Sequence, residues 1–535
     1  MCHQPPATSH QPIQAHSSQL LAKMDHQAVA TESPCSRPSL KVAIIGGGIT
    51  GTCAASTLLR PRQDGTAHNN IQVDLFDQGR RGPGGRASHR RAEYSTSSNN
   101  TACTLRFDHG CQFFRADTPR FQVHVSEWIE RGFVQKWDGA FAADTEDHDD
   151  SADRGFFGMP SSPPFYVGSD GINSVVEGVL DMCCLDNSHH ALRISRGTRV
   201  AMMERNKNTG KWSLYGTSGE IAYHDTPEEK VAATSSSERQ RLGRSPEHEY
   251  DVVILTDVSS SFGSWHRASA GVPESFASKV RERCGARVPL FTAMVAFESK
   301  LNLPFDAASF AKNDTIWFAA RSSSKFGVDK DDDDGQETCD CWTIVSTPDY
   351  ALAKIEETPM QDAKTGAFIP QSPSYLISVP GHDLEEAFRD ALSNPDGVLG
   401  REGALAKDAI PKTVYLDAQR WGSALPCHRS LNSESSTRRV ISGVPYDGQR
   451  MPLAPTKVEK RIGRREAGDD GANFLADDEV GLIQAGDMVS IYTPGFEGAA
   501  LSGMDAAEHV LSLLLPPNII VDLPAYVRDL QIAYA

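Results

Sequence analysis

Gly46, Gly48 and Gly51 form a G-x-G-x-x-G spacing directly after the apolar run at residues 42–45. This is the spacing a backbone needs to lie against a dinucleotide pyrophosphate. Gly46 lets the chain turn tightly off a strand, Gly48 leaves room for phosphate oxygens, and Gly51 lets helix and strand pack closely. Residues 53–59 then read as a helix, whose first N–H groups and positive dipole end favour an anion. A second strand at residues 71–76 ends at Asp77, placed to accept hydrogen bonds from the two hydroxyls of an adenosine ribose. A bare G-x-G-x-x-G is weak evidence. Set between strand and helix, with an acid closing the next strand, it reads as a nucleotide site rather than a coincidental Gly-rich turn.

The stretch Gly79-Arg80-Arg81-Gly82-Pro83-Gly84-Gly85-Arg86 begins two residues after Asp77. A nicotinamide-binding Rossmann domain does not call for a second Gly/Arg loop there. FAD is longer, and a second loop must cover its pyrophosphate and ribityl chain. Gly84 and Gly85 allow close backbone approach, and the forked Arg86 guanidinium can neutralise phosphate charge. The expected cofactor is therefore FAD, in preference to reading the loop as a solvated basic turn.

Residues 77–86, together with Phe107-Asp108-His109-Gly110-Cys111-Gln112-Phe113-Phe114 and the following Asp117-Thr118-Pro119-Arg120-Phe121, resemble the renalase-like branch of the FAD-dependent amine oxidase superfamily. Cys111 stands where that branch usually has Ala. Ala485-Gly486-Asp487 and Glu497-Gly498-Ala499-Ala500-Leu501-Ser502-Gly503 resemble its closing flavin motif, and Thr198-Arg199-Val200 and Arg420-Trp421 are shorter matches between. The resemblance implies that Gln78, Val200, Gly486, Asp487, Gly498 and Ala499 join Gly46, Gly48, Gly51, Asp77, Gly84, Gly85 and Arg86 around FAD. Asp487 would hold a ribityl or phosphate-proximal hydroxyl. A helix starting near Gly498 or Ala499 would aim its positive end at the flavin pyrimidine edge and favour hydride acceptance. No Cys lies between residues 487 and 503, so FAD is expected to be non-covalent. His109 and Lys325 are the candidates for catalysis. His109 lies in a matching block, with a structural His as the plainer reading. Lys325 lies in a Ser-Ser-Lys stretch that otherwise reads as surface. The family's reaction would be hydride transfer from an amine or dihydronicotinamide-type C–H, with O2 as acceptor and hydrogen peroxide as product. The alternatives are a non-catalytic binding protein on the flavoprotein fold and a desaturase-type flavin oxidase.

The expected fold is α/β: a Rossmann-type, NAD(P)-binding-like FAD domain on a parallel sheet, with a discontinuous α+β substrate domain on an antiparallel sheet. At 535 residues more than one domain is expected. Residues 41–115, 166–290 and 478–535 are assigned to the FAD domain, with a mobile insertion at 216–249. Residues 116–165 and 291–477 are assigned to the substrate domain, with acidic or charged insertions at 144–153, 329–340 and 457–473. Residues 1–40, rich in His, Gln, Ser and Pro, read as a disordered tail. Apolar runs at 251–255, 291–297, 315–319, 341–346 and 414–421 read as strands.

Of the net charge of −17, residues 144–153 carry −6 and residues 329–340 another −6, leaving −5 elsewhere. Those stretches read as solvated loops rather than a docking face. No basic stripe with interleaved aromatics points to nucleic acid. No run approaches the roughly 20 apolar residues of a membrane helix. The 11 cysteines show no C-x-x-C pair, and no zinc-like spacing suggests a metal. An odd count without a signal peptide points to reduced thiols in the cytoplasm.

Overall fold

The structure is a computed structural model that describes residues 40–60, 71–79, 82–95, 102–144, 164–185, 191–218, 240–245, 247–257, 271–284, 287–310, 313–326, 339–359, 369, 371–426, 439–441, 444–446, 472–490 and 495–514. Its first sheet has the order β20 (Leu475–Asp477), β21 (Leu482–Gln484), β12 (Val252–Leu255), β1 (Leu40–Ile45), β2 (Ile71–Phe76) and β8 (Leu192–Ser195). All neighbours pair in parallel except the edge pair β20–β21. A parallel sheet is covered on both faces, so its central strands are mostly apolar, with Asp74 of β2 buried among them. In β1, Val42 and Ile44 face one cluster with α1 (Ile49–Leu59), α3 (Asn173–Leu185) and the helix Phe496–Leu514. Ala43 faces the opposite cluster, with Val253, Leu255 and Tyr250.

The second sheet has the order β17 (Thr413–Pro426), β13 (Arg287–Phe297), β16 (Asp340–Ser346), β15 (Ile316–Arg321), β14 (Ala307–Phe310) and β6 (Phe141–Asp144). It is antiparallel except for β14–β6. The period-2 alternation of a strand explains how β13 serves two faces. Phe291, Ala293, Val295 and Phe297 pack with Leu384 and Phe388 of the helix His382–Ser393, while Met294 and Ala296 turn to the other side. The runs at 291–297, 315–319, 341–346 and 414–421 all belong to this sheet, and the run at 251–255 supplies β12 of the first. Smaller sheets are formed by β3 (His89–Ser95) with β4 (Ala102–Asp108), β5 (Val134–Lys136) with β7 (Tyr166–Gly168), β9 (Thr198–Arg205) and β11 (Gln240–Leu242) flanking β10 (Trp212–Ser218), and β18 (Arg439–Ile441) with β19 (Val444–Tyr446).

Thr118 caps α2 (Pro119–Glu130), its hydroxyl accepting from the Phe121 amide at 3.3 Å, with Pro119 at the first helical position. Phe121, Val125 and Trp128 of α2 are buried in the same cluster as β1 and α1, so packing is continuous across the expected boundary at residue 116.

Several expected boundaries move. Leu40 is not tail but the first residue of β1, paired with Ile71. Residues 216–218 and 240–242, read as insertion, are strand, because Leu242 and Gln240 pair with Leu214 and Gly216. Asp340 is not loop: it is 1% exposed and accepts from Arg321 Nε at 2.6 Å, Trp342 Nε1 at 2.9 Å and the Leu301 amide at 3.0 Å. Asn473 is likewise buried. The remainders at 1–39, 145–153, 219–239, 329–338 and 457–471 lie outside the described residues. Among the described residues no helix is long and apolar enough to cross a membrane, and no group of His, Cys, Asp and Glu could hold a metal.

Candidate functional site

The three motifs spread along the sequence meet at the ends of the first sheet's strands. β1 ends at Ile45, and α1 starts at Ile49 with Gly48 as its N-cap, no side-chain cap and no acid in its first turn. The first-turn N–H groups of α1 are thus left for a ligand. The glycines differ in why they are glycine. Gly46 has φ +109°, and a Cβ there would lie 2.2 Å from Thr256 Oγ1. A Cβ on Gly51 would lie 2.0 Å from the Gly46 carbonyl oxygen. Both are demanded by the fold. Gly48 has φ −73°, which any residue can adopt, and a Cβ there would meet nothing nearer than the Gly84 carbonyl at 3.6 Å. Nothing within the described chain requires a glycine at 48.

The second loop lies against the first: Gly48 and Gly84 form a parallel bridge, and a Cβ on Gly85 would approach the Gly48 Cα at 3.6 Å. Asp77 ties these loops together. Its Oδ2 accepts from the Gly47 amide at 2.8 Å and its Oδ1 from the Gly79 amide at 2.7 Å. Burial pushes the Asp77 carboxyl above its ordinary range, and the two amides and Arg196 pull against that. Gln78 is exposed beside it. Thr198, two residues before Val200, donates its amide to the Asp77 carbonyl at 2.8 Å, which brings the start of β9 to this edge. Thr256, just after β12, donates its hydroxyl to the Ile45 carbonyl at 2.9 Å.

Arg86 and Asp487, expected to meet the ligand separately, meet each other across 401 residues. Arg86 Nη1 donates to Asp487 Oδ2 at 2.7 Å, Nη2 donates to Oδ1 at 2.5 Å, and Nη1 also reaches the Ala424 carbonyl at 3.0 Å. The pair joins the second loop to the closing motif, with Asp487 buried and Arg86 about a third exposed. Gly486 has φ +123°, and its amide donates to Ser502 Oγ at 2.8 Å.

The closing helix begins at Phe496, earlier than the expected Gly498 or Ala499, so those two buried residues lie in its first turn. The earlier start places Glu497 where sequence reasoning gave it no role. Its carboxylate accepts from the Asp117 and Thr118 amides at 2.9 and 2.8 Å, fastening this helix to the start of α2. A Glu just before Gly-Ala-Ala carries no local signal of a partner 380 residues away.

Lys325 is not on the surface. It is 2% exposed, in the 3-10 turn Ser323–Lys325 that follows β15. Its Nζ lies 3.6 Å from Asp108 Oδ2, 3.2 Å from Gln112 Oε1 and 5.2 Å from the Trp137 ring centroid. Asp108 Oδ1 accepts from His89 Nδ1 and the Ile172 amide, both at 2.9 Å. Burial alone would raise the Asp108 carboxyl. Lys325, His89 and the Ile172 amide overcome this and hold it below its ordinary value of 3.8. The next residue, His109, is 7% exposed and stacks on Trp421 with centroids 5.6 Å apart. Its carbonyl accepts from Thr292 Oγ1 at 3.0 Å and Trp421 Nε1 at 2.9 Å. Cys111 is held by burial in this surround, its thiol pushed up to about 12.

A family model described as an NAD(P)-binding Rossmann-like domain matches residues 44–128, which take in both glycine loops, Asp77 and Asp108. Among solved structures, cyclohexylamine oxidase from Brevibacterium oxydans IH-35A is 12% identical, with 89% of this chain and 100% of that chain covered and a TM-score of 0.48. Wild-type putrescine oxidase bound to putrescine is 11% identical over the same shares, with a TM-score of 0.43. The chain thus carries a Rossmann-like domain with mixed α/β sheets.

Proposed function

We propose that this protein is an FAD-dependent oxidoreductase of the renalase-like kind, taking a hydride from a C–H next to nitrogen in an amine or dihydronicotinamide-type donor. O2 is the proposed acceptor and hydrogen peroxide the product. One observation carries the reading of a bound dinucleotide: among the described residues nothing demands a glycine at Gly48, yet it sits at an uncapped helix start facing a second glycine loop. The space is explained by a ligand backbone lying against it. The residues fit FAD in particular because the second loop is anchored, through Arg86 and Asp487, to the closing motif.

In this reading Gly46, Gly48, Gly51, Asp77, Gln78 and Val200 would hold the adenosine and pyrophosphate. Gly84, Gly85, Arg86, Gly486 and Asp487 would line the pyrophosphate and ribityl chain. Gly498 would present its first-turn amide to the ring, and Ala499, whose own amide is bonded to the Gly495 carbonyl at 3.0 Å, would lie against it. Non-covalent FAD supplies the hydride acceptor. Of the two catalytic candidates, the geometry favours Lys325. Burial lowers the Lys325 amine from its ordinary value while Asp108 opposes the fall, so a proton can be held at or given up from Nζ beside Asp108 and Gln112, whereas the His109 ring is stacked and its carbonyl engaged.

The test is anaerobic mixing with a panel of amines and dihydronicotinamides, followed by readmission of air. Bleaching of the yellow chromophore by a member of either class, and peroxide on reoxidation, are expected. A flavin that no member of the panel reduces would overturn the oxidoreductase reading in favour of a binding protein.

A further inference from the structure

A thiol cluster lies away from the cofactor loops, where β4 packs against the second sheet. Alternation along β4 puts Cys103, Leu105 and Phe107 on one face. Leu105 and Phe107 are fully buried there against Met294 and Ala296 of β13, in one cluster with Cys339 and Cys341. Cys339 and Cys341, two residues apart, look to the same side and so both turn to β4. They are buried, while Cys103 at the cluster's edge is partly exposed. Cys103 packs against this cluster, so its sulfur shares one site with the Cys339 and Cys341 thiols. The C-x-C pair therefore serves a third cysteine, more than two hundred residues away, rather than bridging to itself.

We propose that Cys103 and Cys339 form a peroxide-modified dithiol, with Cys103 as the attacking thiolate and Cys339 as the resolving thiol. The Cys103 sulfur attacks one oxygen of hydrogen peroxide, the O–O bond breaks, and water leaves after one proton is taken up. Cys103 becomes a sulfenic acid, oxidised by two electrons. The Cys339 sulfur then attacks the Cys103 sulfur, the S–O bond breaks, and a second water leaves with the Cys339 proton. The balance is two thiols and one peroxide to one disulfide and two waters. The exposure order suits these roles, since the attacking thiol must meet peroxide and the resolving one must only meet its partner. The Cys339 thiol beside it, working against burial, lowers the Cys103 thiol to about 6, while the Cys339 thiol itself is pushed up. The neighbouring Cys341 is also pushed up, chiefly by burial. The inference is independent of the proposed cofactor.

The full-length protein would be treated with equimolar hydrogen peroxide, its remaining thiols blocked, and its peptides mapped with and without dithiothreitol. A reducible Cys103–Cys339 link is expected. In Cys339→Ala, peroxide should instead leave a dimedone-trappable sulfenic acid on Cys103. Alkylation of Cys103 at pH 7 should slow by about tenfold in that variant, because its thiolate loses the stabilising neighbour. A link from Cys103 to Cys341, or a Cys103 left unmodified while other cysteines oxidise, would overturn the proposal. Peptide mapping of the wild type decides the matter even if the variant folds poorly.

Discussion

Replacing Lys325 by Met keeps side-chain length while removing the charge that faces Asp108 Oδ2, which has no hydrogen-bond donor of its own among the described residues. Both side chains of the pair are fully buried. Removing one partner of such a pair leaves an uncompensated charge and costs about 3–5 kcal/mol. Asp108 can escape by taking a proton, and the sign of the pH dependence follows. In the wild type its folded value lies below 3.8, so its contribution is complete above that value and is lost only as pH falls through the lower folded value. From pH 7 to 5 this group therefore leaves wild-type stability unchanged. In Lys325→Met the carboxyl rises, and wherever Asp108 is protonated in the fold the penalty shrinks by about 1.4 kcal/mol per pH unit on acidification. Between pH 7 and 5 the recovery should reach up to about 2.7 kcal/mol. Adding Asp108→Asn should restore part of the loss, since residues in direct contact are not additive. Urea unfolding of single and double variants at both pH values measures this. A loss under about 1 kcal/mol at pH 7, or one that does not change with pH, would refute a buried, mutually dependent Lys325–Asp108 pair.

Asp77→Ala should cost about 1–3 kcal/mol in stability even without cofactor, because the Gly47 and Gly79 amides lose their acceptor; thermal melts of the apoprotein read it. Glu497→Ala should cost about 1–2 kcal/mol and speed amide exchange at Asp117 and Thr118, while Glu497→Gln should recover one of the two contacts. Gly51→Ala should destabilise by about 1–3 kcal/mol through collision with the Gly46 carbonyl, seen as a lowered unfolding midpoint.

The longer strands of both sheets were legible because burial on two faces gives apolar runs at 42–45 and 252–255, and because the runs at 291–297 and 341–346 are bounded by polar turns, whereas the short strands β6, β8, β14, β20 and β21 offered too few residues to show a period. The place of Asp77 at the close of β2 was legible from its distance to the first loop, but its bonds to the Gly47 and Gly79 amides were not. The Arg86–Asp487 pair, the Glu497 clip and the burial of Lys325 were not. Each is decided by a partner on a distant element, and a lone charged residue looks the same in sequence whether that partner exists or not. Asp340 shows the same limit: it continues an acidic run, yet Arg321 on the neighbouring strand takes it into the sheet. The closing helix was placed late because its first residues, Phe496 and Glu497, carry neither a capping side chain nor a proline.

The central claim is a dinucleotide lying against Gly48, and flavin content measures it most directly. Wild-type protein, precipitated with acid, should release into solution about one FAD per chain, with no colour left in the pellet. Gly48→Val should fold with an apoprotein melting point close to the wild type, since its backbone geometry and surroundings accept a side chain, and should purify without flavin. A colourless wild type, or a Gly48→Val protein that keeps its full flavin, would contradict the account.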